Sequence, residues 1–206
     1  NAGNITFGAA LNSASGEDLT LSALAGNIDF NGIVGGAAGV SRLGNVLVLA
    51  VNSLTADLDF FAANFEQTAG AAATTFAGAL DVTNAVTITD GTAVIFLSTV
   101  NATEINQLAG TGTTTFVGAV TTDGGNGVSV ITNAIVVNDT ITTTNGGLVT
   151  LTADTNDLDI AAAGDITADG AVTLSAAGTI NTAGDITTTD DIVTFATNAN
   201  LTGAVA

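Results

Sequence analysis

Short runs of alternating apolar and polar residues recur along the whole chain. Val86-Thr87-Ile88-Thr89, Val128-Ser129-Val130, Val149-Thr150-Leu151-Thr152 and Val172-Thr173-Leu174 each set apolar side chains on one face of an extended strand. Gly, Asn and Asp separate the runs, as at Asn145-Gly146-Gly147 and Asp169-Gly170, where tight turns are favoured. The same Gly and Asn-Gly pairs interrupt every candidate helix. The pattern predicts an all-β chain of short strands joined by corners.

A long-range period organises these strands. Gln67-Thr68-Ala69-Gly70 with Thr74-Thr75-Phe76-Ala77-Gly78-Ala79 returns as Gln107-Leu108-Ala109-Gly110 with Thr114-Thr115-Phe116-Val117-Gly118-Ala119, every offset being 40. Phe96 lies midway, so Phe76, Phe96 and Phe116 stand 20 apart. Phe60, Leu80, Val100, Val120, Ile141, Ile160, Ile180 and Leu201 extend the 20-residue rhythm, and Ile88, Leu108, Val128 and Leu148 form a second series. Ala163-Gly164-Asp165-Ile166-Thr167 returns as Ala183-Gly184-Asp185-Ile186-Thr187. Such periods mark stacked supersecondary units. Three strands and their corners fill about twenty residues, and parallel stacking of successive coils turns each series into an interior column with ~4.8 Å between coils. The expected fold is a single parallel β-helix, or β-solenoid, of about ten coils in a rod roughly 50 Å long.

One domain is expected over residues 1–206, with regular coils over about 67–206. Phe30 to Phe76 spans 46 residues, six more than two coils, so irregular or inserted coils are placed at about 35–66. There Leu47-Val48-Leu49-Ala50-Val51 is continuously apolar, and residues 58–66 read as strand in preference to a short helix.

Composition agrees with strand and turn. Hydrophobic residues make up 47 % of the 206, Gly numbers 25, and Pro, which would remove a ladder hydrogen bond, is absent. Nineteen acidic residues face a single basic one, Arg42, for a net charge of −18. A polyanion is repelled by nucleic acid and by anionic lipid, so neither is expected as a partner, and the charge keeps an apolar β-rich object soluble. Without Cys or His there is no disulfide, zinc–thiolate site or thiol chemistry. No run of 18 apolar residues occurs, so no direct membrane insertion is expected. Asn1 follows no basic or apolar leader, and the chain reads as a segment or processed product of a longer one.

Thr75-Phe76-Ala77-Gly78-Ala79, Thr115-Phe116-Val117-Gly118-Ala119-Val120 and Phe30-Asn31-Gly32-Ile33-Val34-Gly35-Gly36 resemble the repeats of filamentous-haemagglutinin-like adhesins and related giant bacterial surface β-helix proteins. The rhythm carries the likeness over about residues 54–206. The resemblance implies export, a right-handed coil, and a stalk or adhesive fibre at the cell surface. It brings no binding residue with it.

Candidate chemistry is sparse. A polysaccharide lyase needs a base and a cation, yet there is no Lys, His or Tyr and only Arg42. A hydrolase needs gathered carboxylates. Asp157 and Asp159 share a strand face and Asp190 and Asp191 are adjacent, but Asp at turns and on outer faces accounts for them. No catalytic, cofactor-binding or metal-binding residue is therefore predicted, and the chain is expected not to be an enzyme. Gly124-Gly125-Asn126-Gly127-Val128-Ser129-Val130 has the outline of a calcium β-roll repeat, but Ser129 stands where Asp is required, so it reads as a Gly-rich corner. Incidental calcium is left open near Asp154, Asp157 and Asp159, or between Asp165 and Asp185. Thr113–115, Thr142–144 and Thr187–189 suggest Thr ladders of an ice-binding kind. On the fixed rhythm, however, Thr87/Thr89 falls on Gln107/Ala109 and Gly127/Ser129, and the row breaks. The sequons at Asn4, Asn101, Asn138 and Asn200 are expected by chance in a chain so rich in Asn and Thr.

Two functions follow as expectations. Asn1-Ala2-Gly3-Asn4-Ile5 and Leu201 to Ala206 look like ordinary coil pieces without a polar cap. They point to a structural component of an extracellular, cell-surface fibre or filament whose subunits stack head to tail. The alternative is an adhesin module that binds glycan or host protein through inserted loops near 35–66.

Overall fold

The computed structural model describes residues 3–36, 41–189 and 191–203. All regular structure among them is β, and every strand pair is parallel. The chain winds as a solenoid of nine complete coils and the first strand of a tenth, at about 21 residues per coil.

Each regular coil lays down three strands. The first face is a ten-stranded sheet running from Ile5–Phe7 through Ala73–Phe76, Ala93–Phe96 and Thr113–Phe116 to Ala199–Leu201. The second face holds strands such as Leu80–Val82, Val100–Ala102 and Ile141–Thr143, and the third face strands such as Ala85–Ile88, Val128–Thr132 and Val172–Ala176. Second and third faces belong to one fifteen-stranded sheet because the eight-residue strand Phe60–Gln67 runs unbroken across both. The segment expected as strand at 58–66 is that strand.

The interior follows from period-two alternation: strands such as Val149–Ala153 and Val172–Ala176 bury every second side chain. Phe76, Phe96 and Phe116 stack nearly parallel at 5.7 and 5.3 Å between centroids. Phe7 and Phe30 stack in the same column at 4.9 Å. Ala56 takes the intervening position, and the space it leaves is filled by Phe60 and Phe65, which meet Phe76 edge-on at 5.6 and 5.1 Å.

The series beginning at Phe60 holds through Leu80, Val100, Val120 and Ile141, then changes partners. Ile141 pairs with Ile166, which in turn pairs with Ile186, whereas Ile160 joins Val137 and Thr182 on the first face, Ile180 pairs with Leu158, and Leu201 with Thr182. The step from Ile141 to Ile166 is longer than the earlier ones, so a fixed count drifts onto another column. The series Ile88, Leu108, Val128, Leu148 is not a column. Ile88 pairs with Gln107, which pairs with Val130, while Leu108 and Leu148 lie on the outside, 55 % and 43 % exposed. A slip of one residue turns a side chain to the opposite face. The recurrence of Asp165-Ile166-Thr167 at Asp185-Ile186-Thr187 is a true rung pairing. The extra length before Phe76 falls in the long coil between Phe30 and its partner Ala56.

Among the described residues, Thr122 Oγ1 is the one buried side-chain polar atom without a hydrogen-bond partner. It stands between Ala102 and Thr143 in the interior. An orphaned buried hydroxyl costs stability, so Thr122→Val, which keeps the branched shape, should stabilise the protein by roughly 1 kcal/mol in urea unfolding.

Candidate functional site

The single cation is the focus of the irregular region. Arg42 precedes the strand Leu43–Ala50 of the second coil and reaches across two further coils. One guanidinium nitrogen lies 3.2 Å from Asp81 Oδ2, while another donates to the Ala62 carbonyl at 3.1 Å and to the Asp81 carbonyl. The guanidinium carbon sits 5.5 Å from the centre of the Phe61 ring. Five donors in a rigid fork suit this bridging of several acceptors. Arg42 thereby ties the inserted loop to the coils above it. Beside it runs an open groove of about 350 Å³ whose polar lining includes Asp81, Thr83, Asn101, Thr121 and Asp123.

Many of the turn carboxylates and amides staple coil to coil. Asp59 accepts from the backbone N–H of Ala79 at 2.9 Å, Asp157 from that of Thr179 at 2.7 Å, and Asp165 from that of Asp185 at 2.8 Å. In each case a side chain at a corner caps a backbone donor one coil further on. Asp165 and Asp185 thus meet as a carboxylate and a backbone N–H donor. Two ladders extend the device. Asn45 Nδ2 donates to Asp18 at 3.0 Å, Asn64 Nδ2 to Asn45 at 2.6 Å, and the Ala85 N–H to Asn64 at 3.2 Å. Asn181 likewise donates to Asp159 at 2.8 Å and Asn200 to Asn181 at 3.5 Å. Each ladder starts on an Asp because the lowest rung needs only to accept, whereas each later rung must also donate.

The carboxylates singled out in the sequence take part in these bonds. Asp157 and Asp159 each engage a partner in the next coil, and Asp154 accepts from Thr155 Oγ1 at 3.1 Å. No three acidic side chains among the described residues gather as a metal-ligand group. Asp190 lies outside the described residues, as do Asn1, Ala2 and residues 204–206 of the expected coil ends. Gly124–Gly127 forms a corner in which the Gly127 N–H donates to the Gly124 carbonyl at 3.0 Å. Gly127 has φ 59°, and a Cβ there would stand 2.0 Å from the Leu148 carbonyl oxygen, so Gly is required.

Sequence reasoning missed two polar arrangements. Inside the rod, Thr74 Oγ1 donates to Gln67 Oε1 and Thr114 Oγ1 to Gln107 Oε1, both at 2.7 Å. At the first coil, the Glu17 carboxylate is wrapped by its own loop. Ser15 Oγ donates at 2.8 Å, the backbone N–H groups of Ala14 and Ser15 at 2.9 and 3.2 Å, and Ser13 Oγ donates as well. The Ser13 hydroxyl first, then Ser15, lowers its pKa from the ordinary 4.5 to about 2. A folded-state pKa below the unfolded one favours the closed loop above pH 4.5 and loses that contribution as pH falls toward 2. Amide exchange at Ala14 and Ser15 should therefore accelerate over that acid window while the central coils stay protected.

No protein-family model matches the chain, and no curated protein or solved structure matches it either.

Proposed function

We propose that this chain is a structural segment of an extracellular, cell-surface fibre in which solenoid coils stack end to end. The observation that carries the reading is the unbroken parallel stacking of one coil on the next, with apolar side chains such as Phe195 and Leu201 of the last described coil 38 % and 56 % exposed. A parallel strand ladder of this kind accepts a further coil at its edge. The net charge of −18 opposes side-by-side association of rods and leaves the ends as the favoured contact. The likeness to filamentous-haemagglutinin-like repeats agrees with export and a bacterial surface location. The reading assigns the chain no catalysis and no cofactor.

Electron microscopy of the purified protein tests this. Filaments with an axial repeat near nine coils, roughly 43 Å at ~4.8 Å per coil, are expected. Phe195→Asp with Leu201→Asp should abolish them and leave the circular dichroism of single rods unchanged. Wild-type protein that stays as dispersed rods at high concentration and high salt would sink the proposal.

The groove beside Arg42 favours a second reading, an adhesin module that binds a glycan or protein next to the inserted loop. Retention of a ligand from a glycan array, lost in Asn101→Ala, would support it.

A further inference from the structure

We propose that Asn31 is a site of spontaneous covalent modification, at which the Gly32 nitrogen displaces the side-chain amide and leaves aspartate or isoaspartate in the second coil. Three Asn-Gly steps occur in the chain, at Asn31, Asn126 and Asn145. Asn is a thermolabile residue, and a following Gly has no Cβ to hinder ring closure. The three steps are chemically alike, so the fold decides between them.

Two of them are held by hydrogen bonds on both reacting groups. Asn145 Nδ2 donates to the Asp123 carbonyl at 2.7 Å, and the Gly146 N–H to Asp169 Oδ2 at 2.6 Å. Asn126 Nδ2 donates to the Glu104 carboxylate, and the Gly127 N–H to the Gly124 carbonyl at 3.0 Å. These bonds must break before the nitrogen can swing onto the side-chain carbon, and together they should slow each step roughly tenfold or more. Asn31 is different. Its side chain is exposed, and among the described residues neither its amide nor the Gly32 N–H has a hydrogen-bond partner. Gly32 is also fixed by packing, since a Cβ there would stand 2.4 Å from the Ala9 carbonyl carbon. The stacking of the second coil on the first therefore requires the residue that makes Asn31 reactive.

The Gly32 nitrogen gives its proton to solvent and bonds to Asn31 Cγ. The Cγ–Nδ2 bond breaks, and Nδ2 takes a proton from solvent and leaves as ammonia. Water then opens the cyclic imide. Cleavage at Cγ gives aspartate, and cleavage at the main-chain carbonyl carbon gives isoaspartate, whose backbone runs through Cγ and is longer by a carbon. That carbon falls between Phe30 and Val34, both buried and both paired to the coil before and the coil after. The added length has to bulge at Gly32 and Ile33 against Ala9, which loosens the corner between the first two coils. None of this depends on end-to-end assembly.

Incubation of the folded protein in mildly alkaline buffer tests it. After an acid quench and unfolding, trypsin cuts at Arg42 alone and separates residues 1–42, with Asn31, from residues 43–206, with the other two steps. The small fragment should gain the mass difference between amide and acid at least about tenfold faster than the large one. Asn31→Gln should remove that gain. In urea, where no fold protects any step, the large fragment should gain mass faster because it carries two of the three steps. Earlier gain in the large fragment of the folded protein would overturn the proposal. So would an unchanged small fragment after the unfolded chain has reacted to completion, or undiminished gain in Asn31→Gln.

Discussion

Phe96→Ala is expected to destabilise the rod by about 3–5 kcal/mol, read as a lower urea midpoint. The ring is 1 % exposed and lies between Phe76 and Phe116, so truncation removes two stacked contacts and opens a cavity that spans three coils. Backbone ladders hold the coils at a fixed separation on either side, so the walls of that cavity cannot collapse inward. Leu97, the next residue, is 46 % exposed, and Leu97→Ala should shift stability by no more than about 0.5 kcal/mol. Similar midpoints for the two variants would mean that the Phe column does not run through the interior as described.

Thr74→Val should cost about 1–3 kcal/mol although it adds apolar surface to a core. Gln67 and Thr74 are both fully buried, and the Thr74 hydroxyl is the close partner of Gln67 Oε1 at 2.7 Å. The remaining contact, from Gln67 Nε2 to the Asp90 carbonyl, is long at 3.5 Å. Removing the hydroxyl leaves a buried amide oxygen without a donor. The double variant Gln67→Ile/Thr74→Val reproduces the chemistry of the neighbouring coil, where Ile88 and Val94 occupy these positions. It should be at least as stable as wild type, since replacing both partners by apolar groups avoids the orphan. Strong coupling in the double-mutant cycle is thus expected, and additive effects would show that the two side chains do not form a unit.

That pair also explains a sequence feature whose period was legible but whose meaning was not. The closest self-match has an offset of 40, not 20, because the Gln–Thr pair at Gln67 and Thr74 returns only at Gln107 and Thr114. The coil between them fills the same space with Ile88 and Val94. Gln reads as an outside residue in a binary pattern, so its burial was hidden. The repeated spacing to an inward Thr was the available signal.

The strand class, the parallel stacking and the Phe column could be read from residues, since identical large side chains at equal intervals leave one arrangement. Column membership beyond Ile141 could not, because corners absorb different numbers of residues. On the third face the steps from Gln67 to Ile88, Gln107, Val130, Leu151 and Leu174 are 21, 19, 23, 21 and 23. A count of 20 places Leu108 and Leu148 inside, yet both are exposed. The Asp staples were also out of reach, since Asp59 and Asp157 look like any turn residue until the neighbouring coil supplies the N–H.

Register between coils is the claim on which the columns and the staples both depend. The chain has no cysteine, so an engineered pair reports it directly. Thr150 and Thr173 are abreast on adjacent strands although they are further apart in sequence than the mean coil length. Thr150→Cys with Thr173→Cys should oxidise readily to a disulfide in the folded rod, since directly paired positions fall within bridging reach. Thr150→Cys with Ala171→Cys, spaced at the mean coil length of about 21 residues, should remain reduced under the same conditions. Faster oxidation of the second pair, or equal oxidation of both, would contradict the register.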